Sequence, residues 1–320
     1  MRFSVDPWDP AYGTSLDAGP DEPGADVDVG IEVAPSAWAP IRPGPGTRAP
    51  SAVLFVDGVR RVDAQVWVGP TTGTDGAAAP GLCASYAAGV VCCCADGAHL
   101  ERAVVVRRGL FTTARDAVDV VTAVGAYRAT STPDRPAVAP MQLLSLALQR
   151  DMAEAELVAA GSAREARRDA DDLLVVDGPV RGHQELPRVV GVVKTHRSDY
   201  LPPERAAVVP RLGAGERTPV FRIVGSWERY TWYLRLPCPP GAPWAGVVRV
   251  ECAGNLSPDA AVRTASVTQR VLPRFASVSY KDSRAPQNLY PIGGLERELR
   301  RRLGDSALLY RALRRAASDG

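Results

Sequence analysis

The sequence predicts an α/β protein built on a mixed sheet. Three observations carry that reading. Short apolar, β-rich runs open the body of the chain, and helix-period and strand-period segments then alternate. Two runs, "AVLFVDGVRR" (52–61) and "LLVVDGPVRG" (173–182), read as buried strands ending in Asp-Gly. With 320 residues, 46% of them apolar, a sizeable core can form.

Residues 1–50 are rich in Pro, Gly, Asp and Ala and read as a partly disordered acidic arm, with "IEVAPSAWAPI" as its docking point. Residues 51–320 read as the folded domain. "SAVLFVDG" (51–58) is expected to be a buried strand, and "RRVDAQVWVG" (60–69) a half-buried one. Asp57-Gly58 would then be the turn of an antiparallel hairpin. "LCASYAAGVVCCCA" and "AHLERAVVVRRGLF" supply a third and a fourth strand around the turn signal "ADGA", completing a β-meander. "ARDAVDVVTAVGAYRA" (114–129) reads as a helix. A longer helix over 140–170 carries Leu144, Leu148, Met152, Ala155 and Ala159 as an apolar stripe.

The second VDG strand follows that helix. "LPRVVGVVKTHR", "RTPVFRIV", "RYTWYLRLPC" and "AGVVRVECAG" extend the sheet. "SPDAAVRTASVTQRVLPRFAS" reads as a helix capped by Ser257 or Asp259, and the tail as a basic amphipathic helix pair broken at Gly304. A meander, a helix and then a strand with an acidic end is the order of a ribonuclease H-like mixed sheet with additional strands and C-terminal helices.

In such a sheet neighbouring VDG strands would bring Asp57 and Asp177 together, and two close carboxylates repel unless a cation lies between them. Hard divalent ions suit such oxygen ligands. The third carboxylate would come from "RDMAEAEL". Glu156 lies about 80° from the centre of the apolar stripe and Glu154 about 120° on its other side, so Glu156 is preferred and Glu154 is the alternative. Two ions in a cluster of this kind hold a phosphate, activate a water and stabilise the leaving oxygen.

Basic groups for the polyanion are present. Lys194 ends its strand, where it would contact a phosphate oxygen or orient the water. His196 is a candidate for proton transfer, and a surface-loop histidine is the competing reading. Arg60, Arg197 and Tyr200 are candidate DNA contacts. Trp232 and Tyr233, interleaved with arginines, could stack on unpaired bases; a half-buried strand with alternate aromatics would have the same pattern.

The net charge of +2 selects no partner, and no apolar run reaches membrane-spanning length. The N-terminus lacks signal-peptide character, so a cytoplasmic protein is expected. Cys92, Cys93 and Cys94 are consecutive, and consecutive strand residues alternate faces. They therefore read as small buried hydrophobes rather than a zinc ligand set. No phosphate-cradling glycine loop is present.

The chain resembles the NurA-type nucleases in "AVLFVDGVRR", "LQRDMAEAEL", "DLLVVDGPV", "VVGVVKTHRSDYL", "WYLRLP … PWAGVVRVEC" and "PQNLYPIGGLERELR", over roughly residues 50–315. The resemblance implies a manganese- or magnesium-dependent DNA nuclease, 5′ to 3′ on ends and endonucleolytic on single strands. It also implies a homodimer working with a HerA-type hexameric DNA translocase in end processing or defence. The metal ligands would be Asp57, Glu156 (or Glu154) and Asp177, with Lys194 matching the family's strand-end lysine. One departure stands out. The family's histidine after the C-terminal Tyr-Pro is absent here, where Arg297 and Glu298 occupy the neighbourhood, so that group is missing, replaced or supplied by His196. The alternative function is a catalytically degenerate subunit that binds DNA or the translocase.

Overall fold

Asp57-Gly58 does not turn the chain. In the computed structural model, which describes residues 26–69, 78–135, 137–167, 171–196, 200–225, 227–239 and 241–318, the expected hairpin is one strand, β2, running Ala52–Val68. A two-residue hairpin turn needs positive φ, and Gly58 is not among the glycines that adopt it. The second VDG behaves differently: its strand ends at Asp177, and Gly178 takes a φ of +120°.

The architecture is mixed α/β, with a large and mostly antiparallel sheet and several helices. The described elements fall into two units. One gathers Met1–Phe55, Val91–His99 and Arg167–Gly293; the other gathers Val56–Val90, Leu100–Ala166 and Gly294–Gly320.

In the first unit, β1 (Asp26–Asp28), β8 (Asp172–Asp177), β9 (Val189–Val193), β10 (Phe221–Val224), β11 (Arg229–Arg235) and β12 (Val247–Ala253) run in the order β1-β10-β11-β12-β9-β8. Every neighbouring pair is antiparallel except β8 with β9, which is parallel and sets Asp177 against Val192. A short helix, α2 (Pro203–Ala206), lies between β9 and β10. α3 (Pro258–Val271) starts where the cap signal placed it, with the Ser257 side chain accepting from the Ala260 N–H at 3.3 Å. Its residues Ala261 and Ala265 join Trp232, Val250 and Val192 in the core. Trp38, from the segment expected to dock, is buried against Phe221. Glu32 makes a two-pronged ion pair with the buried Arg217, at 2.7 Å for each hydrogen bond. The segment from 26 onward is thus tied to the sheet by a strand, an ion pair and an indole, while residues 1–25 of the expected arm lie outside the described residues.

In the second unit, β3 (Ala79–Cys94) pairs antiparallel with β5 (Val105–Thr112), and the hairpin of β6 (Val120–Thr122) and β7 (Gly125–Ser131) follows through a parallel β5–β7 pairing. A short strand, β4 (Gly97–Leu100), pairs with β3, and the tip of this hairpin, Val91–His99, is counted with the first unit. The expected helix over 114–129 is therefore this β6–β7 hairpin. Val118, Val120, Val121 and Thr122 are β-branched and favour extended backbone. Gly125 supplies the turn at φ +136°, and Thr122 Oγ1 closes it by donating to the Gly125 carbonyl at 2.7 Å.

α1 (Pro140–Ala166) buries Leu144, Leu148, Ala155 and Ala159 of the expected stripe. The tail forms α4 (Tyr290–Arg302) and α5 (Ser306–Ser318), broken at Gly304 with φ +84°. Asp305 caps α5 by accepting from the Leu308 N–H at 2.7 Å, and Arg61 donates to the Gly304 carbonyl at 2.8 Å, where the helix dipole favours a cation. No helix among the described residues is long and apolar enough to cross a membrane.

Candidate metal centre

Asp177 is placed by backbone contacts that only glycine allows. After Asp177 the chain folds back over β9, and the Gly178 N–H donates to the Val192 carbonyl at 2.9 Å. A Cβ on Gly191 would stand 2.4 Å from Val180 N and 2.6 Å from the Gly178 carbonyl oxygen, so only glycine allows this approach. The loop is then pinned from below. Glu251 of β12, fully buried, accepts from the Val180 N–H at 2.9 Å and lies 3.4 Å from the Arg229 Nε and 3.5 Å from an Arg249 amino nitrogen.

Lys194 follows β9 and returns to the end of β8. Its Nζ donates to Asp177 Oδ2 at 2.6 Å and to Asn288 Oδ1 at 2.7 Å, with only 9% of its side chain exposed. Asn288 in turn donates to Asp282 at 2.6 Å. This chain fixes the ammonium's position, so Lys194 is a held cation rather than a solvated one.

Asp57 sits on β2, half-buried, and its neighbour Gly58 lies against α1. A Cβ on Gly58 would stand 2.5 Å from Glu156 Oε1 and 3.0 Å from Met152 Cγ. The glycine thus admits the helix glutamate. Glu154 faces elsewhere, 65% exposed and 3.7 Å from Arg107. Of the two sequence candidates, Glu156 is the one beside Asp57's strand.

Within the second unit the carboxyl oxygens of Asp57 and Glu296, both half-buried, lie within 4.8 Å of each other. Glu156 is not in that pair. Glu296 was missed in the sequence, although a signal existed. It stands four residues after Ile292 and three before Leu299, inside the buried stripe of α4 with Leu295, and an acid there has no solvated-face explanation. Like charges this close repel by about 3 kcal/mol per pair at an effective dielectric near 20. Both donors are hard oxygens, and the pair suits a magnesium or manganese ion.

Other candidates lie away from this group. Trp232 is fully buried with its Nε1 donating to Thr268 Oγ1 at 3.2 Å, and Tyr233 is buried in a cluster with Phe221. Both belong to the core, and the alternation that suggested base stacking is that of a buried strand. Tyr200 has Arg249 over its ring at 4.7 Å. Arg60 is exposed, its guanidinium donating to the Ser145 carbonyl at 3.3 Å. Arg197 lies outside the described residues.

His196 is neither a surface-loop residue nor at the carboxylates. It is buried, 3.1 Å from the Val247 carbonyl, and packs on Tyr233 and Trp244. Burial pushes its pKa down to about 4. The unfolded imidazole binds its proton near pH 6.5, so between these values the unfolded state holds more protons and stability falls as pH drops. Chemical denaturation at stepped pH is expected to show a loss of about 3 kcal/mol at most over that window. His196→Phe reduces the slope, and His183, also buried and also pushed down, acts in the same direction.

No protein-family model matches the chain, and no curated protein matches it. Among solved structures, the crystal structure of the NurA nuclease from Sulfolobus solfataricus aligns with a TM-score of 0.42 and 11% sequence identity, covering 83% of this chain and 84% of that one. A likeness this distant sets neither activity nor substrate.

Proposed function

We propose that the chain is a divalent-metal-dependent DNA nuclease with a ribonuclease H-like core, in which Asp57 and Glu296 hold manganese or magnesium, as two ions, with Asp177 as the further ligand that the motif resemblance leads one to expect. The observation that carries this is the pair of half-buried carboxylates, Asp57 and Glu296, with oxygens inside 4.8 Å. Such ions, when bound, activate a water and stabilise the leaving oxygen of a phosphodiester. The chain's own residues do the rest. The carboxylates would fix the ions, whereas Glu156, packed over Gly58, faces the other side of β2 from Asp57. Lys194 holds Asp177 in place and supplies a positive charge for the scissile phosphate.

Glu296 on α4 stands where the resemblance leads one to expect a histidine after Tyr-Pro, so a carboxylate replaces the imidazole as the group that this helix contributes. The choice of DNA, of 5′ to 3′ polarity with single-strand endonuclease activity, of a homodimer, of a HerA-type translocase as partner and of a cytoplasmic location rests on the motif resemblance in the sequence. The exposed Arg60 and the exposed arginines of α4 and α5 suit the polyanion. The test is end-labelled single-stranded DNA incubated with the purified chain. Cutting is expected with manganese and none with excess chelator. DNA that is bound but left uncut at every metal concentration would instead mark a degenerate, binding-only subunit.

A further inference from the structure

The three consecutive cysteines look unsuited to a metal because neighbours on a strand face opposite ways. Alternation separates Cys93 from the other two but not Cys92 from Cys94, which share a face. Cys93 packs against the hydrophobic core of its unit. Cys92 and Cys94 face the other way, just before the turn into β4. The Glu101 N–H donates to the Val90 carbonyl at 2.8 Å, which sets those two residues opposite each other. Two positions further toward the turn, Cys92 faces His99. The turn itself is held by Gly97 at φ +102°, a conformation glycine adopts freely.

The result is a compact donor set. One ligand atom from each of Cys92, Cys94 and His99 lies within 4.8 Å of the others, and no cysteine is in a disulfide. Bond lengths of about 2.3 Å to sulfur and 2.0 Å to nitrogen at tetrahedral angles require ligand atoms about 3.5–3.8 Å apart. Closing to that distance takes at most a shift of about 1 Å, at a hairpin end where Cys94 is half-buried and His99 exposed. We propose that Cys92, Cys94 and His99 bind one zinc ion, which staples the β3–β4 hairpin and leaves its fourth position to water. Two thiolates and an imidazole select a borderline-soft ion, whereas the carboxylate group selects a hard one, so one chain would carry two kinds of metal site. Binding releases the thiol protons, since the thiolate is the ligand.

Cobalt(II) tests the site, because thiolate ligation gives a charge-transfer absorption that oxygen ligation does not. Titration of the reduced full-length chain is expected to produce that band with one equivalent, and one equivalent of zinc abolishes it. Cys94→Ser removes the band and lowers zinc affinity more than about 100-fold, and His99→Ala lowers it more than about tenfold. Cys93→Ser and Asp177→Asn leave both unchanged. Cys94 and His99 are not part of the buried core, so these variants fold even where Cys92→Ser does not. Absence of the band, its survival in Cys94→Ser, or unchanged zinc affinity in His99→Ala overturns the proposal.

Discussion

Asp177→Asn and Asp57→Asn each lower manganese-dependent cutting of single-stranded DNA by more than about 100-fold, the least expected on removing a metal ligand when an outer-shell partner alone is worth about 10–100-fold. The asparagine keeps the size of the side chain and a carbonyl oxygen for Lys194, so Asp177→Asn retains the hydrogen bond that Lys194 now makes at 2.6 Å. Thermal melting is therefore expected to stay near that of the parent chain while cutting disappears. Calorimetric titration with manganese separates the two contributions. The variants lose affinity for the ion, whereas a variant with an intact carboxylate group does not. Wild-type cutting rates in both asparagine variants would remove the carboxylates from the chemistry.

Glu251→Ala is expected to be strongly destabilising. It strips the partner from Arg229 and Arg249, which are 2% and 9% exposed, and leaves the Val180 N–H without its acceptor. Breaking a buried ion pair from one side costs about 3–5 kcal/mol because the remaining charge stays buried. A loss of unfolding free energy of that size, with a lowered urea midpoint, is expected for Glu251→Ala. Glu251→Gln keeps an acceptor for Val180 and loses less. The same change loosens the loop that turns back after Asp177, so cutting per folded molecule falls as well. A midpoint unchanged in Glu251→Ala would show that the loop is held by other means.

These predictions draw on features that were unevenly legible in the sequence. Local signals read well where chemistry and conformation coincide. Ser257 before Pro258, Gly304 between two amphipathic stretches and the Leu144–Leu148–Ala155–Ala159 stripe all produced the elements they indicate. Asp-Gly was ambiguous because its meaning depends on φ. Gly178 turns the chain, whereas Gly58 stays in the strand and makes room for Glu156. The reading of 114–129 as a helix failed because apolar spacing outweighed β-branching there. Trp232 and Tyr233 looked like a binding face because alternation does not say whether both sides of a strand are covered, and here they are.

The site itself was half legible. Asp57 and Asp177 announce themselves at the ends of apolar runs, and Lys194 at the end of another. Glu296 required knowing that its helix brings an acid to Asp57. Glu251 and Asn288, which hold the loop and the lysine, have no sequence signal. Their roles lie in long-range contacts, Glu251 with Val180, Arg229 and Arg249 and Asn288 with Lys194. Cys92, Cys94 and His99 were hidden by the intervening Cys93, which faces the other way.

Glu296 is the part of the account that depends most on the fold, so it offers the most direct test. The measurement is the rate of manganese-dependent cutting by Glu296→Gln beside Glu298→Gln, whose parent side chain pairs with Arg301 and Arg302 on the same helix. The account predicts a fall of more than about 100-fold for Glu296→Gln and a wild-type rate for Glu298→Gln. A wild-type rate in Glu296→Gln would contradict it.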